Sequence, residues 1–182
     1  MKKSASQSRL VSYYTGESSD DQGRYLTDIQ GWNDDQLEGV HDFIQWMFPL
    51  RERSSVNWDA PTLDEFTVQQ FRSRPDLREK LQTSFARMLA FYGLELKTGI
   101  PTGVVPAQNF AIRAQNWLWA GNHNHLRITR ILKSLKALGL EAEATAFFAS
   151  LNLIYEAEKE KTPPGISART FQFWREAVQV GR

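Results

Sequence analysis

The sequence predicts an all-α fold, a single-domain orthogonal bundle of about six or seven helices, and three observations carry that expectation. Apolar residues recur at intervals of three and four over most of the chain. Proline and glycine fall at the ends of these runs rather than inside them. No segment sustains the alternation of a half-buried strand. A length of 182 residues is enough for one domain with a real core and short for two. With 41% apolar and 12% aromatic residues, six Trp and eleven Phe among them, the composition is that of a globular chain.

Residues 1–20 are rich in Ser, Gln and Asp and are expected to form a loose leader, with Tyr13 and Tyr14 tacking part of it down; the folded domain then spans 21–182. From Arg24 the pattern turns helical: Tyr25, Ile29 and Trp32 share a face, and Gly31 and Asn33 end it. Between Asp34 and Phe48, Leu37, Val40, Ile44, Met47 and Phe48 recur at helical spacing until Pro49 closes the run. An irregular connection leads to Ala60-Pro61. There Thr62 and Glu65 read as a capping box, each side chain bonding a free backbone donor at the start of a short helix that ends near Arg74.

Pro75 opens the next helix without loss, because a first-turn residue has no intrahelical use for its N–H. Leu77, Leu81, Phe85, Met88 and Tyr92 form its stripe, and Gly93 is its stop. Residues 94–106, with Gly99, Pro101, Gly103 and Pro106, read as a loop in which Val104-Val105 gives no support for a sheet. Helices are expected over 107–119, 124–138 with Gly139 as the cap, and 141–159. Pro163-Pro164-Gly165 breaks the chain, and Ser167 caps a last helix carrying Phe171, Trp174 and Val178.

Composition also excludes function classes. There are no cysteines, which removes disulfides, thiolate catalysis and cysteine-based metal sites. A net charge of +1 sets up no global field toward nucleic acid or anionic lipid. The charged N-terminal residues have no apolar run behind them, so no signal peptide is expected, and no stretch has the length of a membrane span. The simplest address is a soluble, cytoplasmic one.

Chemistry-bearing residues are few. His41, His123 and His125 are the three histidines. Ligands on a helix share a face at spacings of three or four, whereas His123 and His125 stand two apart. A metal would need a non-helical turn with His41 folded onto it; capping and polarity at a helix entrance, with Asn122 or Asn124 bonding free donors, is the simpler account. The glycines near Thr98 and Thr102 lack the Gly-Lys-Ser/Thr of a phosphate loop, and no serine sits in a nucleophile elbow. No cofactor is expected.

In the 124–138 helix, Ile128, Ile131, Leu132, Leu135 and Leu138 fill one arc. Arg130 and Lys133 lie opposite, flanked by Arg127 and Lys136. This is a solvated basic face, or an anion site with Arg127 at the core border best set for a bidentate grip. Trp46, taken on one helix 34–48, projects away from the Leu37/Val40/Ile44 arc with Glu38 and Gln45 nearby. It either plugs a neighbouring segment or marks a binding surface, with His41 at the edge of the arc.

The runs His41-Asp42-Phe43-Ile44-Gln45-Trp46-Met47-Phe48-Pro49-Leu50, Val56-Asn57-Trp58, Met88-Leu89-Ala90-Phe91-Tyr92-Gly93, Ala107-Gln108-Asn109-Phe110 and the block from His123 to Leu140 resemble, in the family's order, the conserved region of the opioid growth factor receptors. The resemblance covers residues 24–178. It implies a helical, non-catalytic domain of a receptor distinct from the seven-helix opioid receptors, one that binds Met-enkephalin and associates with the nuclear envelope and nucleus. The repeats and basic targeting tracts of the vertebrate receptor have no counterpart in this sequence. The expected function is a binding domain for an enkephalin-like peptide or another small anionic ligand, contacted by His41, Gln45, Trp46, His123, Asn124, Arg127 and Arg130. Within it, Arg127 or Arg130 would hold a carboxylate, Asp42 or Glu38 an amine, and Trp46 or Trp119 a ring. Two rivals remain: an enzyme that gathers His41, His123 and the arginines in a polar cleft around an anionic substrate, and a protein or nucleic-acid scaffold using the basic 127–136 face.

Overall fold

The computed structural model describes residues 8–55 and 57–179, and the helical class holds: ten helices and one two-stranded hairpin among the described residues. They cluster into two compact units that divide between Leu81 and Gln82.

The first unit begins where a loose leader was expected. Residues 9–15 form helix α1 (Arg9–Thr15) instead, ended by Gly16 at φ 81 with its N–H turned back to the carbonyls of Ser12 and Tyr13. Four of the seven residues, Leu10, Val11, Tyr13 and Tyr14, are buried, so burial of two aromatic rings organises a segment whose composition reads as tail. Residues 1–7 of that leader lie outside the described residues. The Tyr14 hydroxyl donates to the Met47 carbonyl at 2.5 Å, and its ring meets Phe71 edge-on at 4.7 Å.

Helix α2 (Leu26–Gln30) follows, and α3 (Asp34–Gly39) starts on a reciprocal cap in which Asn33 and Gln36 each bond the other's backbone N–H. The expected continuous helix 34–48 does not form. Val40 is extended, and a separate turn of helix, α4 (Ile44–Met47), resumes beyond it. The break rotates residues 44–47 relative to α3, which buries all four of them, Trp46 included. Helix α5 (Glu65–Ser73) starts two residues later than the Thr62 box implies. Asp64 is the cap, accepting from the Thr67 N–H at 2.7 Å.

Helix α6 (Pro75–Tyr92) starts at its proline and stops before Gly93, as its punctuation requires. Past Leu81 it belongs to the second unit. The expected loop 94–106 contains a hairpin, β1 (Leu94–Lys97) against β2 (Gly103–Pro106), antiparallel with Leu96 opposite Val104. Leu94 and Val104 are buried, which gives so short a pair its apolar anchor. Helix α7 (Phe110–Ala114) is one short piece of the expected 107–119 helix; α8 (Asn124–Ala137), α9 (Glu141–Glu158) and α10 (Ala168–Gln179) follow close to their expected bounds. Ser167 caps α10 through the Thr170 N–H at 3.0 Å. Ile128, Ile131, Leu132 and Leu135 of α8 are fully buried in this unit with Phe147, Leu151, Phe171 and Trp174 from α9 and α10.

Gly93 shows how tightly the hairpin is set against α7. Its φ is +77, and a Cβ there would stand 2.8 Å from Arg113 Cβ and 2.9 Å from Phe110 Cα. Gly93→Ala therefore combines a left-handed backbone with a clash and is expected to destabilise the second unit by about 2 kcal/mol or more, read as a shift in urea midpoint. Gly121→Ala is the control: a similar φ of +80 but open space, and a smaller loss of about 1 kcal/mol.

Candidate functional site

Seven sequence-derived candidates divide between the units: His41, Gln45 and Trp46 lie in the first, His123, Asn124, Arg127 and Arg130 in the second.

In the second unit the α8 entrance is an internal clamp. Asn122 accepts from the Asn124 N–H at 2.8 Å and donates to the Asn116 carbonyl at 2.9 Å. His125 Nε2 stands 2.9 Å from the Trp117 carbonyl, an N–H donor in that pairing, while the His125 carbonyl accepts from Trp174 Nε1 at 3.1 Å. Arg127 is not at the core border but inside, 5% exposed, donating through Nη1 to Asn124 Oδ1 at 3.2 Å. Asn124 is fully buried, while His123 and Arg130 are half-buried. The basic face is correspondingly broken: Lys136 turns its ammonium to the Val178 carbonyl near the end of α10, where a cation also complements the helix dipole. A solvated row of four cations does not exist.

His125 gives this clamp a pH dependence. Burial lowers its pKa below the ordinary 6.5, against the opposing effect of its bond to the Trp117 carbonyl, and nearby His123 lowers it further. With the folded value depressed, the unfolded chain takes up the proton first as pH falls, so the folded state loses stability below about 6.5 and keeps it above. The thermal midpoint is expected to be flat above neutrality and to fall in mild acid. In His125→Gln, whose amide keeps a donor for Trp117, the part of that fall due to His125 disappears.

The first unit holds a different arrangement. The Asp20 side chain has no solvent exposure; its Oδ1 accepts from the N–H groups of Gln22 and Arg24, both at 2.9 Å, and its Oδ2 from Arg24 Nε at 2.7 Å. Arg24 Nη1 donates to Asp42 Oδ1 at 2.8 Å, and the guanidinium lies 5.6 Å over the Trp32 ring, itself edge-on to Phe43 at 5.5 Å. Burial opposes the charge on Arg24, but the bonds to Asp42 and Asp20 and their charges outweigh it and move its pKa up. One cation thus serves two carboxylates, which leaves a negative charge over, and Asp42 is 37% exposed.

Asn57 Nδ2 reaches the Asp42 carbonyl at 3.3 Å, and Gln45 Nε2 reaches Ser54 Oγ at 3.4 Å, so the loop after α4 is pinned to the same corner. His41, next to Asp42, is exposed, its Nδ1 3.2 Å from the Gly39 carbonyl. Trp46 is a plug, 1% exposed, with Tyr13 at 5.2 Å and the Arg9 guanidinium over its ring at 5.0 Å. Four buried polar atoms of this unit meet no partner among the described residues: Tyr13 OH, Arg24 Nη2, Gln45 Oε1 and Trp46 Nε1. An unsatisfied buried group costs about 1–3 kcal/mol, so each of these atoms calls for an explanation.

Arg24, Asp20, Tyr13 and Trp32 are thus the functional candidates that the sequence did not single out. Asp20 and Arg24 stand four apart around Gly23, which is a local signal of an ion-paired turn; Arg24 with Asp42, eighteen apart, carries none. Among the described residues no three His, Cys, Asp or Glu side chains group as a metal site, and no helix is long and apolar enough to cross a membrane.

Comparison with known proteins follows the same outline. The family model for the opioid growth factor receptor conserved region matches residues 3–182. The human opioid growth factor receptor is 40% identical over 163 residues, 86% of this chain and 23% of that protein. The rat receptor is 46% identical over 138 residues, 72% of this chain and 23% of the relative. Mouse opioid growth factor receptor-like protein 1 is 34% identical over 157 residues, 84% of this chain and 32% of its own length. The chain therefore spans only about a quarter to a third of the relatives it matches. No solved structure matches.

Proposed function

The chain belongs to the opioid growth factor receptor family, and from that premise we propose that it is a non-enzymatic binding domain for a short, amine-bearing peptide of the enkephalin type. The observation that carries the reading is the Arg24 guanidinium shared by Asp20 and Asp42, which leaves a partly exposed carboxylate under-neutralised. An ammonium group is the natural complement of such a carboxylate, and Trp32 and the exposed Tyr25 and Trp58 supply aromatic surface in the same unit. His41 borders the carboxylate in sequence, and Gln45 and Trp46 follow on α4. His123, Asn124, Arg127 and Arg130 act as structural supports of the second unit rather than ligand contacts. Buried Arg127 and internally engaged Lys136 also make the basic 127–136 face a poor docking surface for an acidic partner.

Calorimetric titration with Met-enkephalin tests this. Saturable binding is expected, weakened about tenfold or more by Asp42→Asn and by acetylation of the peptide's amine. Absence of heat at high protein concentration, or equal affinity for the acetylated peptide, would sink it.

A further inference from the structure

We propose that Tyr13, Arg24, Gln45 and Trp46 form an amide-reading subsite in the first unit, one that takes a backbone amide of a bound peptide. The inference deepens the peptide-binding reading and rests on it. Tyr13 is 0%, Trp46 1% and Gln45 5% exposed, and each carries a polar atom that no protein group satisfies, as does Arg24 through Nη2. The Tyr13 ring packs 5.2 Å from the Trp46 ring, and the Tyr13 hydroxyl lies within the electrostatic reach of Asp20 and Arg24. Tyr13 therefore packs on the indole while feeling the charges of Asp20 and Arg24.

The kind of group that fits follows from what these atoms offer. The Tyr13 hydroxyl, Trp46 Nε1 and Arg24 Nη2 are donors, and Gln45 Oε1 is an acceptor. An excess of donors calls for an oxygen with two lone pairs, and the lone acceptor calls for an N–H beside it. Charge then separates an amide from a carboxylate. Burial and Asp20 hold the Tyr13 hydroxyl in its neutral form, and Asp28 and Asp21 add to the negative side there against Arg24 alone. Both remaining arms of Arg24 are already committed to carboxylates. An anion would meet more negative than positive charge, whereas a neutral carbonyl meets donors only.

Access runs past Arg9, an exposed residue that covers the Trp46 ring at 5.0 Å and, among the described residues, is otherwise tied by a long 3.5 Å bond to the Asp59 carbonyl.

The test is nuclear magnetic resonance of the full chain, with the Trp46 indole N–H assigned through Trp46→Phe, alongside melting curves of Tyr13→Phe. Met-enkephalin is expected to shift the Trp46 indole resonance saturably. Tyr13→Phe is expected to weaken the peptide about fivefold to tenfold while leaving the melting temperature of the free protein unchanged or higher, because it deletes an unsatisfied hydroxyl. If the peptide binds but leaves that resonance still and Tyr13→Phe binds as tightly, the subsite is wrong while the amine reading at Asp42 stands. If the peptide does not bind at all, N-methylacetamide is the probe: a saturable shift of Trp46, lost in Tyr13→Phe, keeps the amide subsite without the peptide. No shift, or a lowered melting temperature for Tyr13→Phe, overturns it, since the hydroxyl would then be serving the fold.

Discussion

Trp174→Ala should destabilise the second unit by about 3–5 kcal/mol, a large part of the stability a domain of this size possesses. Trp174 is fully buried, and its ring stands edge-on to His125 with centroids 5.5 Å apart and planes at 89°. Its indole donates at 3.1 Å to the His125 carbonyl, which also accepts from the Thr129 hydroxyl at 3.0 Å. Removing the ring opens a cavity where α10 meets the start of α8 and takes away the wall that holds His125 against the Trp117 carbonyl. Trp174→Phe separates the two contributions: it keeps most of the volume and loses the donor, and about 1–2 kcal/mol is expected. Urea unfolding of both variants measures the difference. Equal losses in the two would show that the hydrogen bond, and not the packed ring, locks α10 in place.

That clamp also explains which parts of the second unit were legible in the sequence. Ile128, Ile131, Leu132 and Leu135 announce the buried arc of α8 by spacing alone, and Gly139, at φ 91, ends it as a glycine should. The burial of Arg127 has no such signal. On a helical wheel it flanks the apolar arc and looks like a border cation; inside, it donates across one turn to Asn124, which is fully buried. The hairpin was missed for a related reason. Its apolar anchors are a single residue on each strand, Leu94 and Val104, and so short a pattern cannot be told from loop without the partner strand.

In the first unit the misreadings share one cause, the orientation of short segments. On one continuous helix 34–48, Trp46 projects away from the Leu37/Val40/Ile44 arc, and the sequence alone does not say which segment it plugs. Once Val40 is extended, the direction of every side chain from Ile44 to Met47 is reset, and the indole turns in against Tyr13. Tyr13 and Tyr14 in turn lie in a seven-residue helix that no propensity sum would favour alone. Its ordering comes from the rings it buries. The candidate site inherits this limit: Asp20, Arg24 and Tyr13 come from separate turns and caps, so only His41, Asp42, Gln45 and Trp46, on the conspicuous run before Pro49, point toward it.

Arg24→Ala should cost about 3 kcal/mol in the first unit, because it leaves the Asp20 carboxylate buried without its cation. The asymmetry of the pair of carboxylates decides where the loss falls. Asp42 is 37% exposed and recovers solvation when Arg24 goes, whereas the Asp20 side chain is fully enclosed. Asp20 would keep the N–H groups of Gln22 and Arg24 at 2.9 Å, which hold its geometry but supply no full charge. Arg24→Lys is expected to recover only part of the stability. An ammonium cannot donate in two fixed directions, to Asp20 through Nε and to Asp42 through Nη1, nor lie flat over Trp32. Adding Asp20→Asn to Arg24→Ala should return about 1–2 kcal/mol, since a neutral amide removes the uncompensated charge while keeping an acceptor for the turn. Denaturant unfolding of the single and double variants gives the coupling directly. An Arg24→Ala loss below about 0.5 kcal/mol, or no recovery from Asp20→Asn, would mean that the guanidinium is held for the ligand and not for the fold. The contrast with Tyr13→Phe in the same corner is the sharper reading: deleting an ion-paired cation must weaken the unit, while deleting an unsatisfied hydroxyl must not.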